Sequence, residues 1–180
     1  MGVHGAFLDS LKRMYARVTM HVCMDGELGA SFPADVGVKQ GDQLSPLLFG
    51  LFINRFETFV AARCSRAGAK ALAGQLLQAL LYAEDLTLIA ESAAEMQELL
   101  DCLRDFAVAN HMAVNVSKSV IVVFNDNTWQ ANSRSGCHYD GKPLRGERDF
   151  RFLGMRFFSA CNKFGNIHHN MASNLAKCRP

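Results

Sequence analysis

Two apolar runs divided by one acidic pair constrain this chain more than any other feature. Gln75 to Ala90 reads Q-L-L-Q-A-L-L-Y-A-E-D-L-T-L-I-A, with Glu84-Asp85 as its break. Each arm gains by burying apolar side chains, whereas the two carboxylates must stay hydrated. The chain therefore folds back at the pair. The pattern predicts adjacent strands near residues 76–82 and 86–90, with Glu84 and Asp85 together at the turn. A helix through residues 80–88 is incompatible with this reading.

The flanking segments are helical. Ser92 opens S-A-A-E, a capping box with Glu95 three residues on. Met96, Leu99, Leu100, Leu103, Phe106 and Ala107 follow the helical period, and Gln97, Glu98, Asp101, Arg104 and Asp105 take the opposite face. Asn110 is the expected left-handed terminator. Upstream, Ser45 as cap and Pro46 as first helical residue predict a helix over residues 46–64. Its stripe is Leu47, Leu48, Leu51, Phe52, Phe56, Phe59 and Val60, with Leu48, Leu51, Phe52 and Phe59, or most of these, buried and Gly68 as the stop.

Ala6 to Arg17 reads as a short helix with Phe7, Leu11, Met14 and Tyr15 near one face. Met20, Val22 and Met24 then alternate with polar neighbours, Asp25-Gly26 supplies a turn, and Phe32 to Val36 is the expected return strand. Towards the other end, Ala113 to Phe124 reads as a strand and Asn125 to Gly136 as a loop. Y-D-G-K at Tyr139 to Lys142 signals a second hairpin, and Phe150 to Phe158 reads as a strand. This order implies an α+β fold with helices packed on an antiparallel sheet.

A hydrophobic content of 49% supports a packed core and excludes a disordered chain. A length of 180 residues fits one domain or part of a larger one. No apolar run reaches the roughly 18 residues of a membrane span, and the N-terminus lacks the order of a signal peptide. The expected setting is intracellular, in the cytoplasm or nucleus, with no secretion and no membrane partner. None of the six cysteines forms C-x-x-C, so free thiols in a reducing compartment are expected. A zinc site from Cys161, His168, His169 and Cys178 is the sharper alternative, but its spacing matches no common zinc pattern. Charge is uneven. Residues 1–116 carry 9 Lys/Arg against 13 Asp/Glu, and residues 117–180 carry 10 against 4. The basic last third is compatible with phosphate contacts, although a solvated charged face is the commoner explanation.

Val36 to Pro46, V-G-V-K-Q-G-D-Q-L-S-P, is a glycine-bearing loop before a helix, suited to close approach of its backbone to another group. From Gly37 it resembles the G-V-R-Q-G-x-P-L-S-P loop of non-LTR (LINE-type) reverse transcriptases. Y-A-E-D at Tyr82 to Asp85 resembles their Y-A-D-D turn, V-N-V-S-K-S at Val114 to Ser119 their N-x-S-K-T segment, and F-R-F-L-G-M at Phe150 to Met155 their F-x-Y-L-G primer grip. Gly2-Val3-His4-Gly5 is similar to the G-I-P-G string that follows the first catalytic motif. Each motif alone is weak, but four in order on matching elements are specific.

The resemblance implies an incomplete polymerase palm, an antiparallel sheet with helices on one face. It implies partial fingers and palm over residues 1–158 and the start of a thumb or tail over 159–180. The family joins a primer 3′-hydroxyl to a nucleoside triphosphate with two Mg²⁺ ions held by three carboxylates. Glu84 and Asp85 stand at the two turn positions. Glu84 replaces the usual Asp, and its extra methylene displaces the carboxylate by roughly 1 Å, enough for a loss of order 10²-fold in rate. The third carboxylate is expected before Gly2, with Asp9 read as an exposed helix residue. Gln40 and Gly41 are the expected template or nucleotide contacts, and Gln43 replaces the usual Pro. Lys118 matches the lysine that protonates or neutralises pyrophosphate, with a solvated strand lysine as the alternative. Phe152, Leu153 and Gly154 match the primer grip, Phe152 lacking the usual tyrosine hydroxyl, with a plain core strand as the alternative. The implied partners are an RNA template, a DNA primer, dNTPs and the rest of a parent polyprotein. The competing expectation is a catalytically inactive remnant that at most binds nucleic acid weakly.

Overall fold

The computed structural model describes residues 4–34, 37–70, 75–124 and 134–159. In chain order the first elements are α1 (Ala6–Tyr15), β1 (Thr19–Met20), β2 (Cys23–Met24), β3 (Glu27–Leu28), β4 (Phe32–Pro33), α2 (Ser45–Ile53) and α3 (Arg55–Arg63). Then come β5 (Ala69–Lys70), β6 (Leu76–Leu77), β7 (Ala79–Tyr82), β8 (Asp85–Leu88), α4 (Ala93–Ala109) and β9 (Val120–Ile121). The last are β10 (Arg134–Tyr139), β11 (Lys142–Gly146), β12 (Asp149–Phe152) and β13 (Met155–Phe158). The chain divides into two compact units, residues 1–49 and 50–180.

In the first unit the expected hairpin forms around Asp25-Gly26, whose φ values of 53° and 85° suit a primed two-residue turn. The expected return strand forms in part, as Phe32–Pro33, but a nearer pair closes the turn first. Cys23 and Met24 pair at once with Leu28 and Glu27, while Thr19 and Met20 pair with Pro33 and Phe32. The register slips by one residue between the two ladders, as at a bulge. The Gly29 N–H, donating to the Val22 carbonyl at 2.8 Å, holds the ribbon across that slip. Val36 and the Gly2-Val3 part of the first motif lie outside the described residues. None of α1's side chains is buried, and Phe7 is 63% exposed.

The core of the second unit forms where α3 meets α4. Phe106 of α4 lies 5.1 Å from Phe56, 5.3 Å from Phe59 and 6.4 Å from Phe52, ring centre to ring centre. Leu99, Leu103, Cys64 and Cys102 complete the helical side, and Cys137, Tyr139 and Leu144 cover it from β10 and β11. The helix expected over residues 46–64 breaks at Asn54 into α2 and α3, although Asn54 keeps helical dihedrals of −57° and −22°. Leu48, Leu51, Phe52 and Phe59 are only half-buried. The fully buried positions of the stripe are Phe56 and Val60, both on α3.

Ser92 caps α4 as expected, its Oγ accepting the Glu95 N–H at 3.2 Å. Glu95 reaches back to the Glu91 N–H at 3.1 Å, one residue before the cap. The terminator is His111 rather than Asn110. His111 has φ 54°, and the Met112 N–H closes onto the Ala107 carbonyl at 2.8 Å in a Schellman motif. Gly68 also differs from expectation: α3 ends at Arg63, and Gly68 serves the β5–β6 pair instead.

The strands form five two-stranded sheets and one three-stranded sheet among the described residues. This is an α+β architecture, and its pairings are shorter and more local than one continuous antiparallel sheet. Two expected strands account for much of the difference. Ala113 to Phe124 shrinks to β9 because Asn115 organises a turn: its carbonyl accepts the Lys118 N–H at 3.1 Å and the Ser119 hydroxyl at 2.9 Å. β9 then pairs in parallel with β11. Phe150 to Phe158 is a hairpin, not one strand, because Leu153 and Gly154 take φ values of 51° and 77° and reverse the chain. The hairpin at Tyr139 to Lys142 forms as expected. β10 begins at Arg134, inside the stretch expected as a loop, and residues 125–133 lie outside the described residues.

Candidate active site

The acidic pair sits on the β7–β8 hairpin. The ladder runs Ala79↔Leu88, Leu80↔Thr87, Leu81↔Leu86 and Tyr82↔Asp85, leaving Ala83-Glu84 as a two-residue turn. Ala79, Leu81, Leu86 and Leu88 pack against the core, which anchors the hairpin. Tyr82, Glu84 and Asp85 are exposed. Thus the two carboxylates lie on successive residues, one in the turn and one at the start of β8. Neither makes a hydrogen bond or ion pair with a described residue.

This turn carries backbone strain. Ala83 has φ 47°, in the left-handed region, which disfavours a residue with a Cβ by about 1–2 kcal/mol. The turns at Asp25-Gly26, Asp140-Gly141 and Leu153-Gly154 each place a glycine second, and this one does not. Strain of this kind gathers at functional positions.

Two adjacent, hydrated carboxylates are hard oxygen donors suited to Mg²⁺, which commonly keeps part of its water shell. The donor set fits such an ion in kind. Among the described residues no third His, Cys, Asp or Glu joins the pair to form a metal-binding group. The Cys161, His168, His169 and Cys178 alternative lies outside the described residues.

Gln40 and Gly41 lie together on a turn in the first unit, both exposed. Gly41 has φ 84°, and a Cβ built there meets nothing within 4 Å, so conformation rather than crowding calls for glycine. The residue after it organises the loop. Asp42 accepts the Tyr15 hydroxyl at 2.7 Å on Oδ2 and the Leu44 N–H at 3.1 Å on Oδ1. The Tyr15 hydrogen bond holds the Asp42 carboxyl below its usual range, and the same bond raises the tyrosine. Sequence reasoning missed both residues. They are 27 positions apart, and only Asp42's place between the glycine and the helix start hinted at a role.

Lys118 is exposed on the Asn115 turn, not on a strand. Phe152 is half-buried at the end of β12, while Leu153 and Gly154 form the exposed tip of the β12–β13 hairpin. Leu153 is 49% exposed despite being apolar. Arg156 grips Asp149 through Nε–Oδ1 at 2.6 Å and Nη2–Oδ2 at 3.0 Å, and Phe150 stacks on Phe157 at 5.3 Å, so the hairpin is braced on both faces. No hydrogen bond or ion pair among the described residues joins Lys118 or residues 152–154 to the acidic turn.

The second unit thus presents an acidic hairpin turn backed by paired helices, and the first a Gln-Gly loop leading into a helix. The reverse transcriptase (RNA-dependent DNA polymerase) family model matches residues 5–157, and the chain belongs to that family, on the non-LTR branch indicated by its motifs. It is 33% identical over 180 residues to the retrovirus-related Pol polyprotein from type-2 retrotransposable element R2DM of Drosophila melanogaster, covering 97% of this chain and 16% of that protein. It is 25% identical over 143 residues to the RNA-directed DNA polymerase from mobile element jockey of the same species, covering 76% and 14% respectively. A third relative is the retrovirus-related Pol polyprotein from type-1 retrotransposable element R2 of Popillia japonica, 28% identical over 128 residues, or 68% of this chain and 21% of that protein. The chain thus spans 14% to 21% of the length of these curated relatives. No described helix is long and apolar enough to cross a membrane.

Proposed function

We propose that this chain is the palm portion of an RNA-directed DNA polymerase whose metal-binding turn is weakened by Glu84. The observation that carries the reading is the paired carboxylates of Glu84 and Asp85, without a partner among the described residues, on a core-anchored hairpin. They would hold divalent metal, Mg²⁺ in the first instance. When bound, Mg²⁺ neutralises charge on the transferring phosphate and favours ionisation of the attacking hydroxyl. Gly41 leaves open space for a base pair, and Gln40 supplies a hydrogen-bonding amide beside it. Lys118 brings positive charge for a departing pyrophosphate. Phe152, Leu153 and Gly154 offer a braced hairpin tip for a primer strand. Residues 1–158 would then supply part of the fingers and palm, and residues 159–180 the start of a thumb or tail. The partners are an RNA template, a DNA primer, dNTPs and the rest of a polyprotein, in the cytoplasm or nucleus.

A second reading, a nucleic-acid binder without catalysis, is favoured specifically by Glu84. Its extra methylene moves a hard ligand by roughly 1 Å at an ion that tolerates little geometric error.

Manganese titration followed by NMR tests the metal assignment. Broadening is expected first at the amides of residues 82–86, and Glu84→Ala with Asp85→Ala should abolish it. Broadening centred elsewhere, or unchanged by the double substitution, would remove the basis of the proposal.

A further inference from the structure

We infer that Tyr15 and Asp42 are positioning residues that clamp the Gln40-Gly41 turn to the end of α1, presetting it for a nucleic-acid strand. The inference rests on the template-loop reading above and adds two residues that the motif does not explain.

The geometry is local and complete. Asp42 follows Gly41 directly, and all its polar groups are engaged. Its N–H donates to the Lys39 carbonyl at 3.4 Å, and its carbonyl accepts the Ser45 N–H at 3.3 Å. One carboxylate oxygen accepts the Leu44 N–H and the other the Tyr15 hydroxyl. The first three contacts close the turn on itself and lead it into α2. Among the described residues, the Tyr15 bond is the one of these four contacts that ties the turn to a distant element, the last residue of α1. Gly41 at φ 84° and Gly37 at φ 93° have no side chains to restrict the backbone, so the loop needs such a tether to hold one conformation. A charge-assisted hydrogen bond at 2.7 Å is short and among the stronger kinds available. The depressed Asp42 carboxyl and raised Tyr15 hydroxyl agree with an ionised acceptor and a neutral donor.

A loop fixed before binding loses less conformational freedom when a strand docks. The clamp therefore acts through Gln40 and Gly41, without itself touching the ligand.

The test has two arms in the full chain, using Tyr15→Phe, Asp42→Asn and the double variant. Tyr15→Phe keeps the ring and removes only the hydroxyl, and thermal unfolding by circular dichroism checks that each variant folds. In the first arm, trypsin cleavage after Lys39 reports opening of the loop. Each single variant should speed it about fivefold to tenfold, and the double variant no more than either single, while cleavage after Arg104 is unchanged. Equal rates in all four proteins, or multiplied effects in the double variant, would overturn the clamp whatever nucleic acid does. In the second arm, fluorescence anisotropy measures affinity for an RNA template annealed to a DNA primer. Affinity should fall several-fold in each variant. Unchanged affinity with accelerated cleavage would overturn the presetting role. Absence of binding by the unmodified chain would overturn the template-loop reading and the presetting role with it, leaving the clamp itself judged by the protease arm.

Discussion

Tyr82 lies directly across the β7–β8 ladder from Asp85, so the turn between them consists of Ala83 and Glu84 alone. This pairing places the consecutive carboxylates of the acidic pair at one end of a short hairpin. The packing of Leu81 and Leu86 beneath holds that end in place. The strained Ala83 is the local consequence of turning the chain in two residues without glycine.

Phe106 meets three phenylalanines contributed by α2 and α3. Phe106→Ala should destabilise the second unit by about 3–5 kcal/mol, through lost burial and the cavity left behind. Urea denaturation followed by circular dichroism measures it. A loss below about 1 kcal/mol would mean that these rings do not form the centre of the core.

Gly68 has φ 135°, and a Cβ there would lie 2.9 Å from Gln78 Cγ and 3.0 Å from the Leu77 carbonyl oxygen. Gly68→Ala is therefore both strained and crowded, and should destabilise by about 1–3 kcal/mol. Gly141→Ala is the control: it too has positive φ, but nothing lies within 4 Å, so its loss should be the smaller. Equal thermal shifts for the two would contradict the close approach.

These elements show what local pattern carries and what it does not. The acidic hairpin was legible because apolar arms flank a charged centre, and α4 because its cap and period agree. The β12–β13 hairpin was not, since its turn is Leu153-Gly154 inside F-R-F-L-G-M-R-F-F, where a leucine masks the reversal. Apolar residues continue across Asn54, so the division between α2 and α3 left no mark. The parallel pairing of β9 with β11, and the Tyr15–Asp42 contact, depend on partners more than twenty residues away and have no local signature. The acidic pair and the Gln-Gly loop were visible as motifs; the residues that support them were not.

Burial pushes the Cys64 thiol up to about 12 from 9.0, and shifts Cys102 and Cys137 in the same direction. The folded state keeps a proton that the unfolded chain releases, so this contribution is fully present below pH 9.0 and is lost as pH rises through about 12. The urea midpoint should fall steadily across that window, and Cys64→Ala should flatten the fall. At neutral pH, iodoacetamide should modify exposed Cys23 well before Cys64, read by peptide mass spectrometry. Early labelling of Cys64, or stability that rises with pH across the window, would contradict its buried thiol.

In the proposed palm, Glu84 and Asp85 form the metal-binding turn, and Glu84 is its weak point. RNA-templated primer extension with Mg²⁺ and dNTPs tests it most directly. The assay compares Glu and Asp at position 84, each with and without a joined segment bearing the family's third carboxylate. The unmodified chain should give no detectable extension, and Glu84→Asp alone should not restore it. Extension should emerge only with the segment present, and should then rise of order 10²-fold on Glu84→Asp. Robust extension by the unmodified chain would contradict the account and point to another carboxylate, with Asp9 the first to mutate. So would a joined protein whose rate is indifferent to the residue at position 84.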